Sequence, residues 1–225
     1  MSVPWFKSLA IFGRELVSNP RPMGAACPSS PGLARRVARM VGRRPETYVL
    51  EIGAGTGAIT SALLRHCVPP ERLVAIERSP SLVKLLRQRF AGVNIIEGDA
   101  CDLHRTLERA GGLDLKRITH VVSSLPLRSL PPAQVEQISK EFFKLLAHGS
   151  HLVQYTYNLR NGSGEVFADL HRHASSVVWL NLPPARVEVF AASRAPGGHG
   201  VFNGRHSSKF ALRPNTTAAN ATHRQ

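Results

Sequence analysis

The sequence predicts an α/β protein built on a doubly wound, mostly parallel sheet, with an antiparallel C-terminal hairpin and amphipathic helices at the N-terminus. Three observations carry that prediction. Short apolar runs alternate with helix-period segments from about residue 47 onward, the pattern of successive βα units. Gly53, Gly55 and Gly57 interrupt the first strand–helix junction. Glu51, Glu77 and Asp99 stand at the ends of three consecutive strands, on the edge where open sheets of this kind bind ligands.

At the N-terminus, Trp5, Leu9, Phe12 and Leu16 recur at helical spacing, with Phe6 beside them and Lys7 and Arg14 on another face. A second helix is expected over SSPGLARRVARMVGRR, capped by Ser29 or Ser30 with Pro31 in its first turn. Its Leu33, Val37 and Val41 form one stripe, and Arg35, Arg36, Arg39 and Arg43 crowd the other side. TYVLEIG is the first strand and TGAITSALLRHC the helix after the glycines. RLVAIE is the second strand, followed by SPSLVKLLRQRF with Ser79-Pro80 as its opening. VNIIEGD, RITHVVSS and HLVQYTY are the third, fourth and fifth strands. CDLHRTLERA and PAQVEQISKEFFKLLAHG are the helices between them, the latter ended by Gly149. GEVFADLHRH is expected as a further helix, which would put His171 and His173 on a solvated helix face; no metal site is expected. VVWLNLPPARVEVFAA reads as two strands joined at Asn181 to Pro184. The expected organisation is a basic helical extension over 1–45, a ligand-binding domain over 46–194, and a mobile basic tail over 195–225.

The 225 residues carry 29 Lys and Arg against 15 Asp and Glu, a formal charge of +14, so an anionic partner is expected. Nucleic acid and an acidic membrane are the two ordinary candidates. Three cysteines without a C-x-x-C spacing point to a reducing compartment. No run of 18 apolar residues exists, and the N-terminal segment does not read as a signal peptide. The expected location is cytoplasmic, peripheral to the cytosolic membrane face.

The E-x-G-x-G-x-G order of VLEIGAGTGAIT favours S-adenosylmethionine over a dinucleotide, because a sulfonium amino acid tolerates an acid beside the loop where a pyrophosphate does not. Glu77 is placed to accept the ribose hydroxyls. Asp99, with Ala100 beside it, is placed to take the adenine amino group. Residues 122–131, VSSLPLRSLP, break from an apolar strand into a proline-spaced loop. Ser123 and Ser124, with the Leu125 carbonyl, stand where an acceptor nitrogen would face the donor, and Ser123 also borders the donor. An amine must be neutral to offer its lone pair, so such a site favours that form or removes a proton.

Residues 45–190 resemble class I methyltransferases, whose sheet is Rossmann-like. More narrowly, NPRPMGAACPSSPGLARRV, VLEIGAGTGAIT, LVAIERSP, VNIIEGDACDL, SSLPLRSLP, HGSHLVQYTY and NLPPARVEVF together resemble the bacterial phospholipid N-methyltransferases, which methylate phosphatidylethanolamine stepwise toward phosphatidylcholine. The resemblance implies S-adenosyl-L-methionine held by Glu51, Gly53, Gly55, Gly57 and Glu77, a head-group role for Tyr157, and Ser29 and Ser30 near the cofactor or lipid phosphate. It implies a phospholipid substrate and an anionic membrane surface met by Trp5, Phe6, Lys7, Phe12, Arg14, Arg35, Arg36 and Arg39, each basic group contributing roughly 1 kcal/mol.

The rRNA adenine dimethyltransferases carry Asn-Leu-Pro-Tyr in the equivalent loop. Here Ser124 stands for the Asn and Leu127 for the Tyr. An extruded base needs a ring to stack on, whereas an aliphatic amine does not, so a ring-free opening and no nucleic-acid partner are expected. The competing readings are an rRNA adenine N6-methyltransferase and a non-catalytic basic adaptor for RNA or membranes.

Overall fold

The computed structural model describes residues 29–42, 47–66, 68–111 and 113–192. The expected helix over 4–18, with Trp5, Phe6, Lys7, Phe12 and Arg14, lies outside the described residues, as do Arg43 and the 195–225 tail.

The first described element is α1 (Pro31–Val41). Ser30 caps it by accepting from the Leu33 N–H at 3.2 Å, and Pro31 fills the first turn, where a missing N–H does no harm. Leu33, Ala34, Val37, Ala38 and Val41 are buried, while Arg35 and Arg39 are exposed. Arg36 departs from the expected surface stripe: it is half-buried, and its Nε is enclosed without a partner among the described residues.

Five parallel strands follow: β1 (Val49–Ile52), β2 (Leu73–Glu77), β3 (Asn94–Glu97), β4 (His120–Ser123) and β5 (His151–Thr156). Helices α2 (Ala58–Arg65), α3 (Pro80–Arg89), α4 (Leu103–Arg109) and α5 (Pro132–Leu146) connect them. An antiparallel pair, β6 (Leu170–Val178) and β7 (Ala185–Ala192), completes a seven-stranded sheet of order β3-β2-β1-β4-β5-β7-β6. The fold is thus the mostly parallel Rossmann-like sheet with an antiparallel C-terminal pair that the sequence predicts.

Alternation along the strands divides the core into two layers. Val49, Leu73, Ala75 and Val122 pack with α1, α2 and α3 on one face. Leu50, Ile52, Ile76 and Val121 pack with α4, α5 and Phe167 on the other.

One expected element is corrected. GEVFADLHRH is not a helix: turns run to Asp169, and β6 begins at Leu170. His171 and Arg172 pair with Ala191 and Phe190 of β7, so a long strand ladder overrides the local helix pattern. His171 and His173 therefore sit on a strand, not on a helix face.

The chain order reverses between β1 and β4, with β2 on one side and β5 on the other. That reversal opens a crevice at the carboxyl ends of the strands, and the site lies there.

Candidate active site

The glycine loop joins β1 to α2. Gly57 caps α2 with φ of +80°, and a Cβ there would lie 2.3 Å from the Phe90 ring. Only glycine meets both demands. At Gly53, also at positive φ, a Cβ would stand 2.9 Å from the Leu125 side chain, so the loop presses directly on the loop after β4.

Glu77, at the end of β2, ties the loop to the next helix. Its Oε2 accepts from the Gly55 N–H and its Oε1 from the Ser79 N–H, both at 2.9 Å. Each oxygen keeps a second lone pair, and Glu77 lines the cavity, so a ligand hydroxyl there could donate to it. Asp99 follows β3; its Oδ1 accepts from the Cys101 N–H at 2.9 Å, and its Oδ2 lies 3.7 Å from Arg78. Burial, reinforced by Asp99, pushes the Cys101 thiol up, which disfavours a nucleophilic thiolate.

Gly53, Gly55, Glu77, Asp99, Ala100 and Ser124 share the lining of one cavity of about 370 Å³. That volume falls within the range of small-molecule sites. A second recess of about 230 Å³ adjoins it through Ser124, Leu125, Pro126 and Tyr155. The Ser124 hydroxyl is enclosed, has no partner among the described residues, and sits on this shared boundary.

Three expected site residues stand off both recesses: Gly57 lines neither and serves the turn into α2, and two others point elsewhere. Glu51 lies on the inner face of β1, fully buried; its Oε2 accepts from the Thr60 hydroxyl at 2.8 Å. Burial pushes its carboxyl up to about 8 despite that hydrogen bond, so it is protonated at neutral pH and supports the loop from beneath. Ser123 is also fully buried and turns its hydroxyl back toward the Leu125 N–H at 3.4 Å; it lines neither recess.

Tyr157 lines the second recess rather than the larger cavity. Sequence reasoning missed its neighbour Tyr155, which lines both and accepts from the Ser29 hydroxyl at 3.1 Å. The two rings meet edge to face, with centroids 6.1 Å apart at 79°. Residues two apart on a strand share a face, and that was the available signal. The opening is therefore not free of rings: Leu127 packs against the core beside the recess, and Tyr155 on β5 and Tyr157 just past its end bring two rings to it.

Gln154 was missed as well. Its Nε2 donates to the Leu125 carbonyl at 3.1 Å and to the Tyr155 carbonyl at 2.8 Å, pinning the 124–127 loop to β5. A lone amide inside the apolar run HLVQYTY marked it. Among the membrane-assigned arginines described here, Arg35 and Arg39 are exposed on α1, away from the lining of both recesses.

This geometry has known counterparts. A family profile described as a methyltransferase domain matches residues 49–149. An ornithine lipid N-methyltransferase from Singulisphaera acidiphila is 31% identical over 143 residues, which cover 62% of this chain and 71% of that one. The chain belongs to the class I S-adenosylmethionine-dependent methyltransferases. This methyltransferase is also 38% identical over 102 residues to a ribosomal RNA small subunit methyltransferase A from Geobacter metallireducens, spanning 43% of this chain and 34% of that one. Among solved structures, a TehB-like SAM-dependent methyltransferase from Corynebacterium glutamicum superposes with a TM-score of 0.53 at 15% identity. The match covers 83% of this chain and 97% of that one and shows the shared fold.

S-adenosyl-L-methionine is the cofactor, and the cavity suits it. At Gly55 an added Cβ would have nothing nearer than the Gly53 carbonyl at 4.0 Å, so the bare backbone faces open space. Glu77 and Asp99 place acceptors along the wall, as a donor with ribose hydroxyls and an adenine amino group requires. When bound, the cofactor supplies an electrophilic methyl group.

Proposed function

We propose that this methyltransferase methylates the amino group of a membrane aminolipid, phosphatidylethanolamine and its methylated intermediates, leading toward phosphatidylcholine. The observation that carries the reading is the acceptor recess. Where an adenine-methylating loop presents a ring, Leu127 packs against the core and lines the recess with an aliphatic side chain, and the rings come instead from a corner formed by Tyr155 and Tyr157. A base is held best by a flat face at the loop. A corner of two crossed rings suits a compact alkylammonium, attracted to the faces as methyl groups accumulate. The printed name of the Singulisphaera relative, a lipid N-methyltransferase, supports the same acceptor class.

In this reading the Ser124 hydroxyl accepts a hydrogen bond from the amine and aims its lone pair into the donor cavity, while the Gln154 amide and the Leu127 N–H hold the Leu125 carbonyl beside it. The residues lining the second recess include no carboxylate and no imidazole. In this reading the ammonium proton leaves before transfer, to water or to the lipid phosphate, and the site selects the neutral amine. Trp5, Phe6, Lys7, Phe12, Arg14, Arg35 and Arg39 would bring the enzyme to an anionic surface.

The test supplies methyl-labelled cofactor with liposomes containing phosphatidylethanolamine and, in the same vessel, 30S ribosomal subunits. Label is expected in the organic phase, as mono-, di- and trimethylated head groups. Label confined to the RNA would overturn the reading in favour of an adenine N-methyltransferase.

A further inference from the structure

The turn between β6 and β7 carries an apolar cluster that neither the core nor the site uses. Trp179 is 71% exposed, Leu180 99% and Leu182 86%, and these are the exposed large hydrophobic residues among the described residues. Three such side chains within four positions form a contiguous patch, which soluble surfaces avoid unless it meets something.

The register fixes where this tip stands. Arg186 pairs with Thr156, the last residue of β5, and with Val177; Ala185 pairs with Val178. The loop over 179–184 therefore leaves the sheet at the carboxyl rim, the rim that bears both recesses. It is also held in shape: Asn181 is buried, its N–H donates to the Val178 carbonyl at 3.4 Å, and its side-chain amide donates to the Pro183 carbonyl. The polar residue of the turn faces inward while its apolar neighbours face out, the reverse of an ordinary solvated turn.

We propose that the 179–184 tip is a membrane wedge that seats the acceptor recess against a lipid surface. Tryptophan favours the boundary between head groups and acyl chains, and two leucines beside it reach the apolar side. Charge selects an anionic bilayer over other apolar partners: the chain carries +14, and Arg78, Arg128 and Arg160 follow the carboxyl ends of β2, β4 and β5 on this same rim. Arg78 and Arg128 are shared with Asp99 and Glu165, while Arg160 is exposed. The wedge lets a head group enter the second recess while its acyl chains stay in the bilayer. It rests on the lipid reading for its purpose, but its seating is measurable without turnover.

The experiment uses the full chain with Trp5→Phe, which leaves Trp179 as the single tryptophan reporter. Vesicles of phosphatidylcholine and phosphatidylglycerol, free of any amine substrate, are added with and without brominated acyl chains. Trp179 emission is expected to shift to the blue and to be quenched by the bromine. The double variant Leu180→Asp/Leu182→Asp is expected to bind these vesicles about tenfold more weakly or worse, with its melting temperature and cofactor affinity unchanged. Unshifted emission on bound vesicles, or full binding by the double variant, overturns the proposal. So does a self-associated parent that the variant renders monomeric with vesicle binding intact, because the tip then meets a second copy. The two proposals separate cleanly. Insertion of Trp179 without label in lipid leaves the wedge standing and removes the aminolipid reading; label in lipid without insertion does the opposite.

Discussion

At the scale of single residues, Glu51 and Glu77 show how two carboxylates of one motif divide the work. Glu51 lies between Leu50 and Ile52, so strand alternation turns it inward beneath α2, whereas Glu77 ends its strand and projects over the edge. The presence of both acids was legible in the sequence; the inward turn of Glu51 follows from alternation once the strand is placed. Its proton is held to about pH 8 in the native protein but released near the ordinary value of 4.5 on unfolding. Between those values the native state binds more protons, so this stabilisation is complete below pH 4.5 and is lost as pH rises through 8. Glu51→Gln never titrates, and calorimetric melting should show it losing less stability than the parent between pH 6 and 9. Equal slopes would remove the buried-acid account. Glu77→Gln keeps the shape but loses the charge that strengthens the bonds from Gly55 and Ser79 and that would strengthen those from ribose hydroxyls of a bound cofactor. Hydrogen bonds to charged groups contribute about 1.5–3 kcal/mol, so titration calorimetry should show cofactor affinity reduced roughly 10- to 100-fold.

At the scale of elements, legibility followed local chemistry. Ser30-Pro31 and Ser79-Pro80 marked the starts of α1 and α3 because capping is settled within one turn of chain. The start of β6 was not legible, because its strand state depends on pairing with β7, seven residues beyond its end. Tyr155 and Gln154 escaped notice for a similar reason: their partners, Ser29 and the Leu125 carbonyl, lie 126 and 29 positions away. The glycine loop offers a test at this scale. Gly57 and Gly111 both hold positive φ, but a Cβ at Gly57 strikes Phe90 and Leu86, while at Gly111 it meets nothing within 4 Å. Gly111→Ala should lose about 1–2 kcal/mol from backbone strain alone. Gly57→Ala should lose about 1–3 kcal/mol more from overpacking. Equal losses in denaturant titrations would show that Phe90 yields freely.

At the scale of the whole molecule, one rim gathers the larger cavity, the second recess, the basic residues after the parallel strands and the apolar tip of the hairpin. Composition gave the charge and the glycine loop gave the cofactor, but the sequence could not show that these share an edge; strand order and register do. The sheet ends laterally at β3 and β6. The β6 margin carries exposed His171, Arg172 and His173, and its ladder slips between Arg172 and Ala174. These polar side chains and a broken ladder make that margin a poor template for a further strand. A second copy is therefore not expected to extend the sheet past β6.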